Sequence, residues 1–346
     1  MNPANSAACA TNSRHITDPV PATPTTVLYH ADCPDGFGAA YAAWRRFGDA
    51  ATYRPMHHGQ PWEMAEIAGH EAYILDFSFP PEVLEAMAGM ARSVVQIDHH
   101  ASARQPWRER LMKAADGGES YRHPTLPLTL LFDLEKSGAR LAWEYFHPEQ
   151  PVPLILHHVE DMDMWRFALP GTRAVSRALR LLDFDFAVWD DLIRRTPNPD
   201  TPRYKAFVAE GETIERFFQT EIDRLAQSRL VMPARLRGEP IDPLQALRHG
   251  LPTVVDGDRA WRAVDGLAIN ASVLFASEVG NRLAEKCGTF GLIWQFAADG
   301  EVKASLRSKG NINAAEIAAI YGGGGHPNAA GFRMPLARFT SEILGK

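Results

Sequence analysis

Four short stretches bring together acids and imidazoles at spacings that could hold cations. His30 is followed by Asp32 and Asp35, Asp76 closes the apolar run Tyr73-Ile74-Leu75, and Asp98-His99-His100 closes Ser93-Val94-Val95-Gln96-Ile97. Asp161, with Asp163 in reserve, follows Leu154-Ile155-Leu156. Hard carboxylate oxygens and imidazoles, without a cluster of thiolates, suit Mn²⁺ or Mg²⁺ better than a structural zinc. Several such donors converging on two cations about 3.5–4 Å apart can activate water against a phosphate ester. One acid after a strand is ordinarily a turn or a helix cap, but four strand ends carrying acids and histidines together point to a metal-dependent phosphoesterase. Asp76, single at its tip, suits a carboxylate shared by both ions.

A fifth stretch is Gly322-Gly323-Gly324-Gly325-His326. Consecutive glycines permit positive φ and let backbone N–H groups approach an anion. His326 adds a donor, and Arg307 offers a planar fork for phosphate. Other residues read more simply. His57-His58 fits a surface loop, and at least one of His157-His158 a packed position near Asp161. Cys33 fills space, since a thiolate there would select softer metals. Trp165, Phe167 and Tyr121 could stack on bases, but core or rim packing is the better reading. Arg45-Arg46 and Arg194-Arg195 are read as solvated faces.

The elements that position these residues alternate from Thr25 onward. Apolar runs at 27–29, near 51–53, 73–76 and 94–98 read as strands, and 38–44, 63–67 and 82–90 as helices, which argues for a parallel, doubly wound sheet. In such sheets, sites form beyond the C-terminal strand ends. Residues 104–127 read as a surface excursion, 137–146 as a helix, 151–159 as a helix or buried segment and 172–181 as a closing helix. Three prolines between 196 and 202 break the chain. A long amphipathic helix over about 204–230 then carries Phe207, Ile214, Phe217, Phe218, Ile222 and Leu225 as one stripe. Strand material at 253–255, 262–264 and 267–269, a helix at 272–286, paired strands at 290–296 and 302–306 and a helix at 313–321 build a smaller second domain. The expected fold is two-lobed α/β. Its parts are a leader at 1–24 read as disordered, a metal domain at 25–195, a bridging helix at 203–231 and a substrate-binding domain at 250–340.

Composition bounds the function. With 36 Lys and Arg against 42 Asp and Glu, the net charge of −6 gives no basic field for long duplex nucleic acid. Three scattered cysteines fit a reducing cytoplasm. No apolar run approaches the about 18 residues of a membrane span.

Together, His30-x-Asp32-x-x-Asp35-Gly36, Asp76, Asp98-His99-His100, Asp161 and the late Gly-rich run ending in His326 resemble the motifs of the DHH phosphoesterase superfamily. That superfamily includes RecJ exonucleases, nano-RNases, cyclic-dinucleotide phosphodiesterases and manganese pyrophosphatases, and the glycine run is similar to the GGGH signature of its associated C-terminal domain. The resemblance spans about residues 25–335. It implies two divalent ions, usually Mn²⁺, held by His30, Asp32 or Asp35, Asp76, His99 and Asp161. It also implies that His100 meets the scissile phosphate or leaving group, with Asp98 orienting a ring. Arg307, Gly324, Gly325 and His326 would grip a short single-stranded oligonucleotide or a nucleotide phosphate, hydrolysed by a hydroxide that two metals activate. The first motif departs from the common pattern: it has one residue more between His30 and Asp35, and Phe37 replaces a final Asp. The choice between Asp32 and Asp35 therefore stays open, and Asp161 is preferred over Asp163. The rivals are a pyrophosphatase or short-chain polyphosphatase, and a nucleotide-binding regulator with a decayed centre. Oligomeric state is not legible.

Overall fold

The structure is a computed structural model describing residues 23–57, 59–114 and 117–344. The leader, apart from Thr23 and Pro24, and His58 lie outside the described residues. The first lobe is built on strands β1 (Thr25–His30), β2 (Thr52–Met56), β3 (Glu71–Leu75), β4 (Ser93–Asp98), β5 (Met112–Lys113), β6 (Glu119–Arg122) and β7 (Leu128–Phe132), in the order β2-β1-β3-β4-β7-β6-β5. The pairs from β2 through β7 are parallel, while β6 and β5 extend the sheet antiparallel. The helices follow the chain as α1 (Pro34–Phe47), α2 (Pro81–Met90), α3 (Ala101–Arg104), α4 (Gly138–Phe146), α5 (Leu154–Asp163), α6 (Thr172–Leu179), α7 (Phe186–Arg195) and α8 (Pro202–Ala226).

Both faces of the first sheet are covered, as a buried parallel sheet requires. Along β1, Val27 and Tyr29 enter the core shared with α1, α4 and α5, while Leu28 enters the opposite core with Ile74, Val94 and Leu84 of α2. Two features differ from the sequence-based expectation. The 104–127 excursion contains β5 and β6, whose polar Glu-Ser-Tyr-Arg sequence carries no apolar alternation. The central strand β7 was not anticipated, although Leu128, Leu130 and Phe132 alternate inward.

The second lobe holds β8 (Met232–Pro240), β9 (Thr253–Asp256), β10 (Arg259–Asn270), β11 (Phe290–Phe296), β12 (Glu301–Ser308), β13 (Gly324–His326) and β14 (Ala329–Pro335), with α9 (Pro243–His249), α10 (Ala276–Cys287) and α11 (Ala314–Ile320). Its order is β13-β14-β12-β11-β10-β8, with β9 also on β10. Residues 232–240, ahead of the expected start at 250, thus belong to the second sheet. Helix α8 joins the lobes by splitting its apolar side: Tyr204 and Phe207 enter the first lobe's core, Phe218 and Ile222 the second's. Phe217, read as part of that stripe, is 59 % exposed.

Candidate metal centre between the lobes

Strands β1, β3 and β4 lie side by side, with Tyr29 opposite Leu75 and Leu75 opposite Ile97. The next residues, His30, Asp76 and Asp98, therefore leave the sheet in one row at its C-terminal edge. The Asp76 N–H still donates to Ile97 O at 3.0 Å, and its φ of 50° turns the chain out of the strand. Asp76 stands at the middle of the site. Its Oδ2 is 3.5 Å from His30 Nδ1, and its Oδ1 is 3.2 Å from His99 Nε2. Among the described residues, the buried Oδ1 has no hydrogen-bond partner.

Asp35 reaches the cluster from the first turn of α1, where Pro34 supplies the preset φ of a helix start. Its two oxygens accept from the Gly138 and Ala139 N–H groups at 2.7 and 3.0 Å, so amides at the start of α4 that have no partner within the helix hold a buried carboxylate. Glycine at 138 makes the approach possible, since a Cβ there would meet Asp76 Cβ at 2.5 Å. Nothing in the sequence singled Gly138 out. His99 Nε2 lies 3.7 Å from Asp35 and 3.6 Å from Asp163. Three overlapping donor groups result: His30, Cys33 and Asp76; Asp35, His99 and Asp163; and Asp76 with Asp98, His99 and His100.

Two of the acids named from the sequence stand elsewhere. The Asp32 side chain is 84 % exposed and lies 3.7 Å from His57, outside these donor groups, because its φ of 55° swings it out of the turn. Asp161 is occupied by the chain that follows it. Its carboxylate accepts from the Ala168 and Leu169 N–H groups and from Thr172 Oγ1, and its carbonyl from the Arg166 and Phe167 N–H groups. Asp163 is the acid that faces His99.

Electrostatics follow from the crowding. Burial, then the Asp76 and Asp163 charges, push the Asp35 carboxyl well up. Burial acts to raise Asp76 too, but the nearby His30 and His99 imidazoles and the His100 charge hold it below the usual carboxylate range. Burial opposes charge on His99, yet the Asp76, Asp35 and Asp163 carboxylates outweigh it and raise the imidazole to about 10. A group of acids that retains a proton so firmly is also a group that would hold a divalent cation in its place. Oxygen and imidazole donors with an orphaned buried carboxylate oxygen fit such an ion.

The Asp98 Oδ1 accepts from the His99 and His100 N–H groups and pairs with His100 Nδ1 at 2.6 Å. Against the burial penalty, Asp98 raises His100 to about 9. The second lobe meets this point directly: the ring of His326 stacks on His100 at 5.0 Å between centroids. Burial, then the charges of His100 and His99, lower His326 to about 4. The glycine run delivers it. Gly325 has φ 142°, and a Cβ there would meet Ala329 O at 2.5 Å, whereas one at Gly324 would meet nothing within 4 Å. Arg307 pairs across to Ala329 and Ala329 to His326, which puts the three in one row. The Arg307 guanidinium donates to Ser277 Oγ and Leu306 O. A cavity of about 760 Å³ lies elsewhere on the second lobe, against α11, and none of these residues lines it.

Residues 270–344 match the family model described as the DHHA1 domain. The uncharacterized protein R106 of Acanthamoeba polyphaga mimivirus is 27 % identical over 324 residues, covering 88 % of this chain and 66 % of that protein, so slightly less than two thirds of the relative is spanned. Among solved structures, an uncharacterized protein from Helicobacter pylori G27 aligns with a TM-score of 0.41 and 12 % identity, over 90 % of this chain and 93 % of that one. The pGpG-specific phosphodiesterase PggH from Vibrio cholerae aligns with a TM-score of 0.42 and 12 % identity, over 92 % and 95 %. No helix among the described residues is long and apolar enough to cross a membrane. The chain thus carries a DHHA1 domain over residues 270–344, and Asp98-His99-His100 stands at the tip of a central strand of its first lobe.

Proposed function

We propose that the protein is a metal-dependent hydrolase of phosphodiester or phosphomonoester bonds in short single-stranded oligonucleotides or nucleotides. The observation that carries this reading is the Asp76 carboxylate, set with one oxygen towards His30 and the other towards His99. A carboxylate so placed suits a pair of divalent ions, with Mn²⁺ favoured by the mixed oxygen and imidazole donors and Mg²⁺ also accommodated. His30 and Asp76 would hold one ion, and Asp35, His99 and Asp163 the other, with Asp76 shared. When bound, such a pair makes water acidic enough to attack at neutral pH and offsets the charge gathering on phosphate oxygens.

The chain's own residues supply the rest. Asp98 fixes the His100 ring and favours its protonated form, so that His100 can donate a proton to the departing oxygen. The neutral His326 and the Arg307 fork, both on the second lobe, orient the phosphate-bearing substrate over the first. The test is Mn²⁺-dependent release of mononucleotide from a dinucleotide, with pyrophosphate assayed alongside and His99→Ala as control. Turnover of the dinucleotide that His99→Ala lowers by about 100-fold or more is expected. Turnover of pyrophosphate alone would move the substrate class, and no turnover with no Mn²⁺ bound would favour a binding protein.

A further inference from the structure

Among the described residues, four that are not glycine have positive φ: Asp32, Asp76, Trp165 and Phe167. Aspartate tolerates that region, but bulky aromatic residues do so at a cost, and such strain persists only where neighbours enforce it. Here the enforcement is visible. Asp161 alone receives the N–H groups of Arg166, Phe167, Ala168 and Leu169, which fixes the loop on the end of α5. The loop turns Trp165 outward, 44 % exposed, with its ring edge-on to Phe167 at 4.8 Å. An exposed, strained tryptophan beside a metal centre calls for a ligand.

The space in front of it has a matching chemistry. A cavity of about 180 Å³ is lined by Asp163, Trp165, Phe167, Arg173 and Arg180 from the first lobe and by Ser277 from the second. Trp165 and Arg173 also border a wider cavity of about 480 Å³ further out between the lobes. Together these volumes fall in the range of small-ligand clefts, about 300–1,000 Å³. Among the described residues, neither Arg173 nor Arg180 makes an ion pair or a side-chain hydrogen bond, and the Arg173 guanidinium lies over Phe167 at 3.8 Å. Of the two acids at the cavity, Glu278 is already paired with Arg177 and Asp163 faces His99.

We infer that this cavity is a subsite for the nucleotide next to the scissile bond, whose base stacks on Trp165 and whose further phosphate pairs with Arg180 and Arg173. It rests on the proposed phosphoesterase reading for what happens at the metals, but its own test is one of binding. The subsite selects substrates at least two nucleotides long, because a mononucleotide held at the metals leaves the tryptophan uncovered.

The probe is a dinucleotide with a terminal phosphate, a non-hydrolysable phosphonate linkage and the fluorescent base aminopurine at its end, added to the full chain with Mn²⁺. Stacking on the wild-type protein quenches the base. Trp165→Ala and Trp165→Gly should abolish the quench and weaken binding by about 10-fold or more. The glycine variant accepts the positive φ without strain, so a loss there is not a folding defect. Removing the probe's terminal phosphate should weaken binding to the wild type but not to Arg180→Gln. Equal affinity and equal quench in both Trp165 variants would overturn the subsite, as would no binding to the wild type. Turnover of a natural dinucleotide with binding indifferent to Trp165 would leave the phosphoesterase standing and remove the subsite. Trp165-dependent binding without turnover would do the reverse.

Discussion

His158 accounts for much of the order around the site without touching a ligand. It is buried between Thr172 Oγ1 and Tyr204 Oη, each 2.8 Å away, and Thr172 passes its own hydrogen on to Asp161. That direction requires Nδ1 to donate, and in the neutral ring Nε2 is then the acceptor for Tyr204 Oη. Burial, opposed by Asp161, lowers His158 from 6.5 to about 4. The unfolded chain therefore takes up a proton that the folded chain refuses between those values. The contribution is complete above about pH 6.5 and falls away as the pH drops towards 4, by up to about 3 kcal/mol. Urea midpoints measured from pH 7 to pH 4.5 should fall less steeply in His158→Gln than in the wild type. The two nearby acids separate in the same kind of experiment. Asp161→Ala leaves two amides and a hydroxyl without an acceptor and should cost about 3 kcal/mol of stability with little change in Mn²⁺ affinity. Asp163→Asn should weaken Mn²⁺ binding by about 10-fold or more at nearly constant stability, as calorimetric titration would read.

At the scale of elements, the difference between those acids is a matter of period. Leu154-Ile155-Leu156 fits a short strand or a helix equally well. On a strand, positions 161 and 163 would share a face. On the observed helix α5 they are about 200° apart, so only one can meet His99 while the other turns back towards the loop. The strand tips themselves were legible, because His30, Asp76 and Asp98 each end an apolar run that the sheet buries. Strand β7 was less so, being five residues without β-branched aliphatics, and β8 hides behind two prolines and three charges. The close contact of α4 with Asp76 has no sequence signal beyond a single glycine. Its effect is testable: Gly138→Ala should displace Asp76 and α4 together, lowering Mn²⁺ affinity and stability, since the added carbon meets backbone-anchored atoms at 2.5–2.9 Å. A variant with unchanged affinity and stability would show that the site has room the structure denies it.

Across the whole molecule, one arginine ties the parts that must close on a substrate. Arg177 of α6 is 4 % exposed, pairs with Glu215 on the bridging helix and Glu278 on α10, and lies over Phe218 at 3.9 Å. Removing it strands two carboxylates of about 15 % exposure, so Arg177→Ala should lose about 3–5 kcal/mol in urea unfolding. The two-lobed plan and the long connector were readable from the apolar stripe and the proline break. The meeting of His326 with His100 was not, because nothing local in either stretch records a contact across more than two hundred residues. The most direct measurement is made on the candidate metal centre beside that meeting point: Mn²⁺ titrated into the full chain, with stoichiometry read by calorimetry and coupling by electron paramagnetic resonance. Two ions per chain with a spin-coupled signal, reduced to one uncoupled ion or none by Asp76→Asn, is the expected result. A single uncoupled ion in the wild type, or a pair indifferent to Asp76, would contradict a centre bridged by that carboxylate.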